Sequence, residues 1–104
     1  MEVMARRLIQ LMDRDKLNPN QLGKKCGVDQ STISRWVNAI TKPTLESIER
    51  VANHFHVPAE YFICTDETRA RIYLLLNDMN DEERKQALFH FEKEKLWKDS
   101  KRTA

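Results

Sequence analysis

The stretch Gln21-Leu-Gly-Lys-Lys-Cys-Gly-Val-Asp-Gln-Ser-Thr-Ile-Ser-Arg-Trp36 reads as two short helices joined by a tight turn. Just before it, Asn18 can cap a helix whose first position, Pro19, tolerates proline. Leu22 and Cys26 recur at helical spacing and give that helix one apolar face. Gly23 lies on the adjacent flank, where a missing side chain lets a second helix come close. Gly27 stops the helix, because glycine enters the left-handed region at little cost. Val28 is placed to plug the turn, and Asp29 is a good N-cap for a new helix starting at Gln30. In that helix Ile33, Trp36 and Val37 point inward, and Gln30, Ser31, Ser34 and Arg35 lie on the opposite side. The outer face carries hydrogen-bonding groups but little bulk, which suits a DNA groove.

The pattern resembles the Cro/repressor-type (XRE) helix-turn-helix family, and four further features carry the resemblance. An amphipathic helix precedes the motif, with Met4, Leu8, Leu11 and Met12 on its apolar face. Asn38 and Thr41-Lys42-Pro43 follow the second helix, where the family has a polar, basic loop ending in proline. Thr44 to Phe55 looks like the family's fourth helix, and Val57 to Phe62 like its short fifth. The resemblance covers about Met4 to Ile63 and implies a five-helix, all-α domain that binds double-stranded DNA.

Two positions depart from the family pattern. Ala39 stands where glycine usually ends the recognition helix, so Asn38 or Ala39 must lead the chain out. Asparagine tolerates the left-handed region better. Pro19 replaces a polar residue that commonly holds a phosphate. That contact passes to Asn20 or Gln21, or is absent.

A recognition helix lies in the major groove with its first turn nearest the base edges. The resemblance therefore implies base contacts from Gln30, Ser31, Ser34 and Arg35. Gln30 can pair with adenine N6 and N7, and Ser31 can donate or accept. Arg35 reaches either guanine or a phosphate, and Ser34 is short enough to permit close approach. Asn20, Gln21, Lys24, Thr32, Asn38, Thr41 and Lys42 are the candidate phosphate contacts, with Lys25 adding charge. Ile40 fits either a thymine methyl or a contact between subunits. Trp36 shares the face of Ile33 and is read as core. Each base contact contributes about 1–3 kcal/mol of discrimination, too little for one small helix to specify a genomic site. Two copies on a two-fold axis reach that specificity, so a homodimer is expected.

Residues 65–104 lie outside the resemblance and are expected to form a C-terminal helical hairpin extension, as against a DNA-binding domain over residues 1–64. Thr65 or Asp66 can cap a helix carrying Ile72, Leu75, Leu76 and Met79. Asn80 and Glu83 then form a capping box for a helix running from Asp81 to about Lys98. Its apolar residues make two faces: Ala87, Leu88 and Phe91 on one, Phe89 and Leu96 on another with Trp97 at its flank. One face is expected to pack on its own domain, and the Phe89, Leu96 and Trp97 face on a second subunit or another protein. The other possibility is a helix that simply caps the core of its own chain. Ser100 to Ala104, basic and polar, is expected to be disordered.

Charge supports the assignment. The net charge is only +2, but Ala5 to Lys42 holds eight basic and three acidic residues. Residues 65–104 hold nine of each sign. Positive charge is thus concentrated where phosphate would lie. The longest apolar run, Tyr73 to Leu76, is far short of a membrane span, and Met1 to Met12 is interrupted by Glu2, Arg6 and Arg7. Cys26 and Cys64 make no disulfide framework, and Cys26 is read as a buried free thiol. His54, at a helix C-terminus, and His56 do not share a helical face, so no metal site and no cofactor is expected. No phosphate-binding glycine loop or catalytic motif is present, which argues against an enzyme. The expectation is a dimeric, sequence-specific repressor of bacterial or phage type, working in the bacterial cytoplasm or a phage-infected cell. The alternative is a DNA-binding antitoxin or interaction module whose C-terminal helices hold a partner protein.

Overall fold

The computed structural model describes residues 2–103, with side chains described up to residue 101. Among them are seven helices and no strand: α1 (Val3–Arg14), α2 (Pro19–Cys26), α3 (Gln30–Val37), α4 (Leu45–Phe55), α5 (Glu60–Ile63), α6 (Glu67–Asp78) and α7 (Asp81–Thr103). Backbone packing divides the chain inside α6: one compact unit runs to Leu74, and a second begins at Leu75.

In the first unit α1 buries Met4, Leu8, Leu11 and Met12 against Leu22 of α2, Ile33 and Trp36 of α3, and Val51 and Phe55 of α4. The expected apolar face of α1 is the buried face, and Trp36 is core. Phe62 of α5 closes the cluster. The fifth helix starts later than expected. Residues 57–59 lead into it through a turn in which Tyr61 N–H donates to the Pro58 carbonyl at 3.0 Å.

Four helices stop in the same way. After α1, α2, α3 and α4 the chain takes one residue into the left-handed region: Lys16 (φ 56°), Gly27 (φ 71°), Ala39 (φ 56°) and His56 (φ 57°). The next residue then donates its N–H back across the last turn. Leu17 reaches Met12, Val28 reaches Gly23, Ile40 reaches Arg35 and Val57 reaches Ala52, at 2.8–3.0 Å. This is the Schellman arrangement, and the donor in it is apolar each time. Leu17, Val28 and Val57 pack on the core, whereas Ile40 stays 70% exposed. The exit from α3 is therefore made by Ala39, although asparagine was the better-suited residue.

A buried arginine was not anticipated. Arg7 lies on α1 between Met4 and Leu8 and is 1% exposed. Its guanidinium donates to the carbonyls of Tyr61 and Cys64, meets Glu67 Oε2 at 3.2 Å and lies 4.9 Å from the Tyr61 ring centre. The signal was available, since Arg7 interrupts the stripe through Met4, Leu8 and Leu11. Its partners are more than fifty residues away, which no local pattern reveals.

In the second unit both members of the Asn80 and Glu83 capping box are present, at 2.9 and 2.8 Å. At the start of α6 the cap is Asp66, whose Oδ1 accepts from Arg69 N–H at 2.9 Å. One expectation about α7 is corrected. Residues 100–103 continue the helix rather than being disordered, and Ala104 lies outside the described residues. Nothing after Lys98 breaks a helix, and two spacings of four support this end: Lys95 pairs with Asp99 at 3.5 Å, and Lys101 sits over the Trp97 ring. Along α7, Leu88 is 58% exposed, Phe91 53%, Phe89 70%, Leu96 71% and Trp97 57%.

Candidate nucleic-acid interface

The turn between α2 and α3 is held from both sides. Asn18 and Gln21 form a capping box at the start of α2, with Asn18 Oδ1 accepting from Gln21 N–H at 2.8 Å and Gln21 Oε1 accepting from Asn18 N–H at 2.9 Å. At the far end Gly27 turns the chain and Val28 folds under it. Gly23 is needed for a close approach, because a Cβ there would lie 2.4 Å from the Val28 carbonyl oxygen. The backbone of the turn thus rests directly on α2, which fixes where α3 begins. Asp29 holds the N-cap position of α3, but its side chain makes no capping hydrogen bond. The start of α3 therefore presents N–H groups that its own cap does not occupy.

Ile33 and Trp36 anchor α3 to the core, so the rest of its circumference is fixed in rotation. Gln30, Ser31 and Arg35 are exposed on that outer side, while Thr32 and Ser34 are half-buried. Asn20 and Lys24, one turn apart on α2, share a cleft of about 350 Å³ with Gln30. The structure therefore brings together three side chains that the sequence assigned to one surface. Gln21 keeps its amide N–H groups for an outside acceptor, since the capping box uses only its oxygen. Asn38 spends one amide N–H on the Ser34 carbonyl at 2.8 Å and keeps the other. Thr41 is exposed. Lys42, also exposed, belongs to a different cavity, apolar and about 430 Å³, formed with Glu2, Met4, Pro43 and Phe62.

Electrostatics narrow the basic set. Arg7 is buried, so it cannot reach a phosphate. Arg14 is paired with Asp15 at 2.8 Å, and that hydrogen bond holds the Asp15 carboxyl below its ordinary range and raises the Arg14 guanidinium. Lys24, Lys25, Arg35 and Lys42 are exposed. Cys26, a free half-buried thiol, is pushed up by burial and stays protonated at neutral pH, as a packing residue of α2. Among the described residues no three His, Cys, Asp or Glu side chains gather as metal ligands, and no helix is long and apolar enough to cross a membrane.

Solved structures show the same fold. The transcriptional regulator BswR superposes with a TM-score of 0.74 at 22% identity, over 89% of this chain and 94% of that one. A transcriptional regulator from Listeria innocua gives a TM-score of 0.54, also at 22% identity, over 86% of this chain and 90% of its own. No curated protein sequence matches. The helix-turn-helix family model HTH_3 matches residues 8–62, more than half of the chain and all of the α2–turn–α3 unit. The chain thus belongs to the XRE-type helix-turn-helix family of DNA-binding transcriptional regulators.

Proposed function

We propose that this protein is a dimeric repressor that reads a palindromic operator in the major groove, with residues 1–64 binding DNA and residues 65–104 joining the two copies. The observation that carries the reading is the outer face of α3. Gln30, Ser31 and Arg35 are exposed there, while Ile33 and Trp36 hold the opposite side. Gln30 and Arg35 supply the bidentate groups that recognise adenine and guanine edges, Ser31 adds a single hydrogen bond, and Ser34 lets the backbone come near. Asn20, Gln21, Lys24, Thr32, Asn38, Thr41 and Lys42 hold phosphates on either side of the groove. Occupancy of such a site excludes polymerase from an overlapping promoter.

The test is selection of bound sequences from a random duplex pool with the purified protein. A two-fold symmetric consensus, with half-sites about one helical turn apart, is expected. Enrichment of a single unrepeated half-site would overturn the dimeric reading. Salt-sensitive binding with no enrichment would overturn sequence-specific readout. A second reading rests on the exposure of Phe89, Leu96 and Trp97: the protein is an interaction module or antitoxin whose α7 holds another protein. Light scattering after size exclusion separates the two, since a monomer at tens of micromolar would favour a different partner.

A further inference from the structure

The helix α7 has a charge gradient along its length. Asp81 to Glu92 carries four acidic and two basic residues, net −2. Lys93 to Thr103 carries five basic and two acidic residues, net +3. The large apolar side chains lie between the two ends, from Leu88 to Trp97, and each is more than half exposed. The helix thus has an acidic end, an apolar middle and a basic end, over about 35 Å at 1.5 Å per residue.

Such a helix is complementary to itself in one direction. Two copies side by side and parallel would place acidic on acidic and basic on basic. Two antiparallel copies place each acidic half beside a basic half and oppose the helix dipoles. The cleft along α7 offers a register for such a pair. It is about 420 Å³ and is lined by Phe89, Glu92, Lys93 and Leu96. Phe89 and Leu96 stand equally far from the point between Glu92 and Lys93. A two-fold axis through that point lays Phe89 on Leu96 of the second copy and Glu92 beside Lys93 of the second copy, and repeats both contacts by symmetry.

We propose that α7 is the homodimer interface and pairs antiparallel with α7 of a second copy, on a two-fold axis between Glu92 and Lys93. This rests on the dimeric reading above and adds direction and register to it. Glu92 and Lys93 are exposed, so exchanging their charges leaves the fold of each copy in place.

Sedimentation equilibrium on three full-length forms tests the register: wild type, Glu92→Lys, and Glu92→Lys with Lys93→Glu. In the antiparallel register Glu92→Lys turns two attractive contacts into two repulsive ones, and dimer affinity is expected to fall about tenfold. The double variant restores both contacts with signs exchanged, and is expected to return to within about threefold of wild type. In a parallel pair each residue meets its own copy, so neither variant changes the balance of repulsions. A wild-type dimer indifferent to Glu92→Lys, or one that the second change does not rescue, overturns the antiparallel register while leaving a dimer by another route. A wild-type chain that stays monomeric at all accessible concentrations overturns the dimeric reading itself.

Discussion

Ala39 carries a conformation that suits it poorly. A left-handed backbone costs an L-residue about 1–2 kcal/mol, and glycine escapes that cost while losing about 0.5–1 kcal/mol to its freer unfolded chain. Ala39→Gly is therefore expected to stabilise the fold by about 0.5–1 kcal/mol, seen as a higher urea midpoint at unchanged slope. An unchanged or lower midpoint would mean that the α3 exit relaxes around alanine. Gln30 belongs to a different class. It is exposed and makes no core contact, so Gln30→Ala should leave the urea midpoint alone. Its proposed role is in DNA: operator affinity should fall by about 1–3 kcal/mol while random-sequence affinity stays level. Equal losses on both DNAs in a binding titration would remove Gln30 from the base readers. Gly27 could be read from sequence because glycine is the signature of its conformation. Lys16 and His56 take the same conformation without the signature, with only the apolar residue after each as a hint, and Ala39 is one of two residues that the sequence leaves open for the exit from α3.

Among the elements, α1 shows how one polar group can outweigh its visible ion pair. Arg7 touches Glu67, but Glu67 is 65% exposed and the pair is worth less than about 1 kcal/mol. The carbonyls of Tyr61 and Cys64 matter more, because each of these part-buried acceptors left without a donor costs about 1–3 kcal/mol. Arg7→Leu is thus expected to destabilise the first unit by about 3 kcal/mol and Glu67→Ala by less than 1 kcal/mol. Equal losses in denaturant titrations would assign the stabilisation to the ion pair instead. What was legible at this scale was local. The Asn18–Gln21 and Asn80–Glu83 boxes each close within three residues, and the faces of α1 and α3 follow helical spacing. The Arg7 contacts join distant segments. The extent of α7 depends on the absence of any breaker after Lys98. Of the candidate site, the meeting of Asn20, Lys24 and Gln30 in one cleft follows from helical spacing across the tight turn, whereas the separate setting of Lys42 beside an apolar cavity has no local signature.

For the whole molecule the question is how many phosphates it engages. The formal excess of basic residues between Ala5 and Lys42 overstates the charge open to DNA, because Arg7 is buried and Arg14 is held by Asp15. Lys24, Lys25 and Lys42 remain the main exposed lysines of the motif and its following loop, and Arg35, also exposed, is proposed as a base contact. Each phosphate neutralised contributes about 0.9 to the slope of log affinity against log salt. With Lys42 as a proposed phosphate contact, Lys42→Ala is expected to lower that slope by about 1 for a single bound copy and by about 2 when two copies occupy one operator. The same titration counts both the contact and the copies. A drop near 2 on a symmetric operator, and near 1 on an isolated half-site, is the expected outcome. A drop near 1 on both would mean that one copy binds. An unchanged slope on both would remove Lys42 from the phosphate contacts and leave the lysines of α2, beside the cleft at Gln30, as the anchor.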